Sequence, residues 1–104
     1  MTILAFDFGG TKLATAVVDL NQPGEFHRLV EPTPAQEGPD AVLKAMYQLG
    51  DRVCQSSDEK PTAIGISYGG PVTPDRQRCV LSNHIPGWID FPLVKRVKEQ
   101  YGIP

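Results

Sequence analysis

Residues 3–19 of the chain read ILAFDFGGTKLATAVVD and decide its fold. The stretch predicts an apolar strand that contains one acid, Asp7, then a glycine turn and a second apolar strand that returns beside the first. Glycine adopts backbone conformations that other residues avoid, so a Gly9-Gly10 turn can direct its amides at an anion. Thr11 and Lys12 add a hydroxyl and an amine for phosphate oxygens, and Asp7 is placed to hold a hydrated cation. The stretch therefore predicts a site for a nucleoside triphosphate with Mg2+.

The bulk composition limits the classes of protein to which the chain can belong. Its 104 residues suit one small domain, and a net charge of −2 without a basic run argues against nucleic-acid binding. Asp7 and the glycines interrupt the N-terminal apolar stretch, which excludes a secretory signal, and no run is long enough to cross a bilayer. Cys54 and Cys79 match no metal-binding spacing. We expect a cytoplasmic protein that uses no membrane and no nucleic acid.

Apolar patterns along the chain predict four strands and two helices. Strands are expected over 2–8, 12–19 and 25–30, and a fourth over 62–67. A helix is expected from Pro39, where proline suits the first turn, with apolar residues at helical spacing through Val53. A short strand is possible at Val80-Leu81, and a last helix is expected from a cap at Asp90 through Tyr101.

The connections between these elements predict the order of the sheet. Short links place the first three strands in an antiparallel meander, and a right-handed helical crossover places the fourth strand parallel to the first. The expected order is 3-2-1-4, with an apolar fourth strand at an edge, which is an aggregation hazard if left exposed. Because the chain also ends on Gly102-Ile103-Pro104, which is typical of the approach to another strand, we expect a truncated lobe of a larger protein.

Three segments resemble the ROK family of sugar kinases and sugar-responsive repressors, within the actin-like ATPase superfamily. They are DFGGTK at 7–12, IGISYGGPV at 64–72, and IPGW at 85–88 followed by FPL at 91–93. The resemblance implies an α/β fold, a ribonuclease H-like lobe with a mixed sheet of order 3-2-1-4. It also implies ATP-dependent transfer of a phosphate to a hydroxyl of a hexose or amino-hexose by the parent protein.

The resemblance also implies roles for particular residues. Asp7 would hold Mg2+ through water, and Gly9, Gly10, Thr11 and Lys12 would line the phosphate channel. Gly69 and Gly70 would let the backbone approach the sugar closely. Family members often have an asparagine two positions before Pro-Gly-Trp, whereas His84 occupies that position here and Asn83 lies one residue earlier. We assign the sugar contact to Asn83.

The remaining family features lie outside this sequence. The family's catalytic base is an aspartate in an Asn-Asp pair shortly after a segment like residues 101–104, so no catalytic residue is assigned in this chain. Residues 1–104 would form the N-terminal lobe and the C-terminal lobe would be absent. We expect the chain alone to be inactive and to need the remainder of the parent chain. The family commonly dimerises, which predicts a homodimer.

Other interpretations of the same residues stay open. A sugar-sensing transcriptional regulator of the same family would place helices for reading DNA ahead of the lobe. A ribonuclease H-like nuclease would need further carboxylates beside Asp7 to bind metal ions. At the level of single residues, Gly9-Gly10 can be a plain hairpin turn, Lys12 a solvated lysine, and Gly69-Gly70 a tight turn before proline.

Overall fold

A computed structural model describes residues 1–24, 26–68, 74–75, 77 and 91–104 of the chain. Short links join the first three strands, and a helical crossover connects the third strand to the fourth. In chain order the elements are β1 (Thr2–Phe8), β2 (Lys12–Asp19), β3 (Phe26–Pro32), a 3-10 turn (Ala35–Glu37), α1 (Pro39–Gln55), β4 (Ala63–Tyr68) and α2 (Leu93–Tyr101).

The four strands form one mixed sheet in the order β3-β2-β1-β4, which confirms the predicted order. Strands β1, β2 and β3 are antiparallel neighbours, and β4 lies parallel to β1 on the other side. This arrangement sets Asp7 of β1 between Ala14 of β2 and Ser67 of β4. The carboxyl ends of β1 and β4 therefore lie at the same end of the sheet as the glycine turn.

One face of the sheet is packed against the helices. Every second residue of β1, at positions 2, 4, 6 and 8, is buried, as the two-residue period of a strand requires. Helix α1 covers these residues with a stripe of apolar side chains at helical spacing, and α2 adds two more. The buried helical residues are Val42, Leu43, Met46, Leu49, Gly50, Val53, Leu93 and Val97.

The opposite face of the sheet, which we call the open face, bears mostly small or apolar side chains. Ile3 and Ala5 of β1 are half-buried there, and Asp7 beside them is exposed. A strand as continuously apolar as β1 is usually covered on both faces. Within the described residues the helices cover only one, because α1 and α2 both pack on the face of Leu4 and Phe6.

Two element boundaries differ from expectation for reasons of proline chemistry. Helix α2 begins at Leu93 after Pro92, later than expected, and the expected cap residue Asp90 lies outside the described residues. A residue before proline is disfavoured in helical geometry, which delays the start of the helix past Phe91. Strand β3 extends to Pro32, since an edge strand tolerates proline at its end.

The start of α1 and the end of α2 follow the expected chemistry. Helix α1 begins with Pro39 after Gly38, whose φ of 86° suits glycine, and it continues through Gly50. Helix α2 ends at Gly102, whose left-handed φ of 70° lets its amide donate to the Lys98 carbonyl at 2.8 Å. Across the described part of the chain, neither helix has the length and apolar character needed to span a membrane.

Candidate functional site

The turn between β1 and β2 is closed by its own backbone. The Gly9 amide donates to the Lys12 carbonyl oxygen at 3.1 Å. A Cβ at Gly9 would lie only 2.6 Å from that oxygen, so the close approach of backbone to backbone requires glycine here. The φ of Gly9 lies outside the left-handed region. Glycine is needed for space at this position rather than for a special dihedral.

The closed turn leaves several donors uncommitted. The amides of Gly10 and Thr11 donate to no acceptor among the residues that the structure describes. The Thr11 hydroxyl and the Lys12 ammonium, both on exposed residues, likewise have no hydrogen-bond or ion-pair partner in that part of the chain. Two amides, a hydroxyl and an ammonium at one tight turn form the kind of donor set that binds an anion.

Asp7 lies on the open face, at the end of the sheet where the turn is. It is exposed, and its carboxylate has neither a hydrogen bond nor an ion pair with any described residue. Lys12 lies two residues from Ala14, the register partner of Asp7, and so shares the same face of the sheet. Such diagonal neighbours have Cα atoms about 7–8 Å apart. A carboxylate and an ammonium therefore flank the same small region.

The donor chemistry near Asp7 suits a magnesium ion that is shared with a ligand. Within the described ranges, no group of three or more His, Cys, Asp or Glu side chains could enclose a metal ion. Mg2+ does not need such a cage, because it keeps several waters and is bound by one or two carboxylates together with substrate phosphates. A single exposed carboxylate beside a turn with uncommitted donors fits that mode.

A broad depression of about 450 Å³ extends from Asp7 across the open face. Its lining includes the small side chains of Ala5, Ala14 and Ser67, with Arg28 of β3 on one side. Sequence reasoning did not single out Ser67 or Arg28. Ser67 is brought beside Asp7 only by the parallel register of β4, which a single sequence does not reveal.

The residues expected to contact the sugar lie outside the part of the chain that the structure describes. Gly69, Gly70 and Asn83 lie outside the described residues, as do Val80-Leu81 and Asp90. The structure brings together Asp7, Gly9, Gly10, Thr11 and Lys12, and the sugar contacts stay a prediction.

Comparison with known proteins gives one family over nearly the whole chain. The ROK family matches residues 3–104. The N-acetylmannosamine kinase of Salmonella newport is 32% identical over 104 residues, which are 100% of this chain and 34% of that protein.

Solved structures give the same result. A ROK family glucokinase from Streptomyces griseus, in complex with glucose and AMPPNP, has a TM-score of 0.85 at 25% identity and is matched over 31% of its length. The ROK hexokinase from Thermus thermophilus has a TM-score of 0.85 at 32% identity and is matched over 33%. Both matches cover 100% of this chain, which therefore spans about a third of the length of these relatives.

Proposed function

Because this chain belongs to the ROK family, we propose that it forms the N-terminal lobe of an enzyme that transfers the terminal phosphate of ATP to a sugar hydroxyl. The substrate would be a hexose or an amino-hexose. The C-terminal lobe would be supplied by the part of the protein that corresponds to the unmatched two thirds of the relatives.

One observation carries this proposal: the uncommitted donors of the Gly9–Lys12 turn lie beside an exposed carboxylate on the same edge of the sheet. A plain hairpin turn would not need Asp7 at this position, since its carboxylate contributes no contact with any described residue. The likeness to a glucokinase that was solved with glucose and AMPPNP supports the same ligand chemistry.

The proposed roles follow from the charge that phosphoryl transfer develops. The reaction depends mainly on positioning and on neutralising phosphate oxygens, with little covalent chemistry for the protein to perform. The amides of Gly10 and Thr11 would donate to phosphate oxygens, and Lys12 would neutralise part of their charge. Asp7 would hold Mg2+ through its water ligands, and the ion when bound would neutralise phosphate charge.

The proposed sugar-binding part of the site is formed by residues outside the described part of the chain. We propose that Gly69, Gly70 and Asn83 contact the sugar, and that the group that removes the proton from its hydroxyl comes from the second lobe. Closure of the two lobes would exclude water and so suppress hydrolysis of ATP. The homodimer and the cytoplasmic location stay predictions.

The test of this function is phosphorylation of a panel of hexoses and amino-hexoses by the full-length protein with ATP and Mg2+. We expect at least one sugar to be phosphorylated, and we expect Asp7→Asn to lower kcat/KM by about a hundredfold or more. The free energy of unfolding should change by less than about 0.5 kcal/mol, because Asp7 is exposed and holds no other residue in place.

Asp58→Asn is the matched control. Asp58 is an exposed acid in the link between α1 and β4, at the opposite end of the sheet from the turn. The control variant should retain wild-type turnover. Wild-type protein that phosphorylates no sugar in the panel would contradict the proposed function, and full turnover by Asp7→Asn would contradict the role of Asp7.

A further inference from the structure

Thr33 lies in a proline-flanked link that reaches back to the glycine turn. It follows Pro32, the last residue of β3, and precedes Pro34 and the 3-10 turn. Its amide donates to the Thr11 carbonyl oxygen at 2.9 Å, and its hydroxyl donates to the Gly9 carbonyl oxygen at 2.8 Å. One residue therefore binds two of the carbonyls of a turn that lies more than twenty positions earlier in the chain.

These two hydrogen bonds fix the directions of two amides of the turn, those of Gly10 and Lys12. A trans peptide is planar, so its carbonyl oxygen and the amide of the next residue point in opposite directions. When Thr33 holds the Gly9 carbonyl, it sets the direction of the Gly10 amide away from Thr33. The bond to the Thr11 carbonyl sets the Lys12 amide in the same way.

The turn needs such an external restraint. Glycine loses more conformational freedom on folding than any other residue, so the peptide between Gly9 and Gly10 would otherwise sample several orientations. Two hydrogen bonds from one rigid residue remove that freedom before a ligand binds. Binding an anion to amides that are already oriented avoids the entropy of ordering them.

Thr33 is itself held in place by its neighbours. Proline fixes φ on either side, and a residue before proline is confined to extended conformations. The carbonyl oxygen of Thr33 accepts from the Ala35 amide at 2.9 Å, which ties the link to the start of the helical segment. All the polar groups of Thr33 are thus engaged.

We propose that Thr33 is a positioning residue that orients the Gly10 amide of the Gly9–Lys12 turn for the phosphates of the nucleotide. This inference rests on the proposed function. Thr33 does not touch the nucleotide in this account, and it acts through the turn.

The test compares Thr33→Val with Thr33→Ser in the full-length protein. Valine keeps the shape of threonine without the hydroxyl, whereas serine keeps the hydroxyl. We expect Thr33→Val to raise KM for ATP by roughly threefold to tenfold, the change that loss of one hydrogen bond produces. KM for the sugar should stay the same, and Thr33→Ser should restore KM for ATP to near the wild-type value.

Thr15→Val is the matched control for a purely structural effect. The Thr15 hydroxyl donates to the Ala5 carbonyl oxygen at 2.9 Å, which is the same chemistry within the body of the sheet. Its loss should lower the free energy of unfolding without changing KM for ATP. An equal rise of KM for ATP in Thr15→Val would overturn the proposal, because any loss of sheet stability would then suffice.

The outcomes separate this inference from the proposed function. If the wild-type protein phosphorylates a sugar and Asp7→Asn does not, but Thr33→Val has the wild-type KM for ATP, then the role of Thr33 is wrong and the function stands. If the wild-type protein has no kinase activity, the proposed function itself fails.

Discussion

At the scale of single residues, the turn leaves no room for a side chain at Gly9. A Cβ there would lie 2.6 Å from the Lys12 carbonyl oxygen, which is backbone and cannot rotate away. We expect Gly9→Ala to lower the free energy of unfolding by about 1–3 kcal/mol. We also expect it to weaken ATP binding by about tenfold to a hundredfold, since small misplacements in a binding site are costly. Urea denaturation and titration calorimetry of the full-length protein measure the two effects.

Gly24→Ala is the control for this substitution. Gly24 lies in the turn after β2, and a Cβ there meets nothing within 4 Å in the described structure. Its replacement should leave both quantities near wild type. Unchanged ATP affinity in Gly9→Ala would show that the geometry of this turn does not matter for the nucleotide.

The position of the turn could be predicted from the sequence. The physical reasons why it needs particular residues could be predicted only in part. An acid within an apolar strand, followed by Gly-Gly-Thr-Lys, predicts a strand and a turn that bring these residues together, as the structure has them. The steric need for Gly9 depends on the Lys12 carbonyl and appears only once the hairpin is built. Thr33 could not be found because its contacts cross from β3 to the turn, and its proline neighbours indicated only a loop.

At the scale of elements, Gly50 determines how closely α2 approaches α1. A Cβ at Gly50 would lie 2.8 Å from the Tyr101 hydroxyl and 2.9 Å from Cε1 of Phe6. The rings of Phe6 and Tyr101 lie 5.7 Å apart, so they occupy the space above this glycine. Burial and the Asp51 carboxylate raise the pKa of Tyr101, so its hydroxyl stays protonated at neutral pH. The close packing around Gly50 therefore leaves no room for a side chain, although glycine has a low helix propensity.

The packing around Gly50 predicts that alanine at this position lowers the free energy of unfolding, whereas helix propensity alone would predict an increase. Alanine in place of glycine favours a helix by about 1 kcal/mol. We expect Gly50→Ala to destabilise the full-length protein nonetheless, by about 1–3 kcal/mol, because overpacking a filled core is unfavourable. The loss should be smaller in a Tyr101→Phe background, where the nearest atom has been removed. A gain of stability in Gly50→Ala, measured by urea denaturation, would refute this account of the helix contact.

Most elements were predictable because their apolar periods are clear. The expected bounds of β1 and β2 agree with the structure, and α1 begins at the expected Pro39. The start of α2 was missed because Asp90 resembles a cap, whereas Pro92 decides where the helix can begin. The 3-10 turn at Ala35–Glu37 has no apolar pattern of its own from which it could be predicted.

At the scale of the whole molecule, the chain has the fold of about one third of a ROK protein. The Ile64 amide donates to the Pro104 carbonyl oxygen at 2.6 Å, so the residues after α2 already lie beside the edge strand β4. Within the described residues, no helix packs on the open face of the sheet, which carries Asp7. We propose that residues 1–104 work with a second lobe, and we expect them to be inactive without it.

The central claim is that Asp7 and the Gly9–Lys12 turn hold the phosphates and the metal of Mg-ATP. It is tested most directly by a crystal structure of the full-length protein with AMPPNP and Mg2+. We predict phosphate oxygens within hydrogen-bond distance of the Gly10 and Thr11 amides, and Mg2+ linked to the Asp7 carboxylate through water. A nucleotide bound elsewhere, with this turn unoccupied and Asp7 away from the metal, would contradict the account.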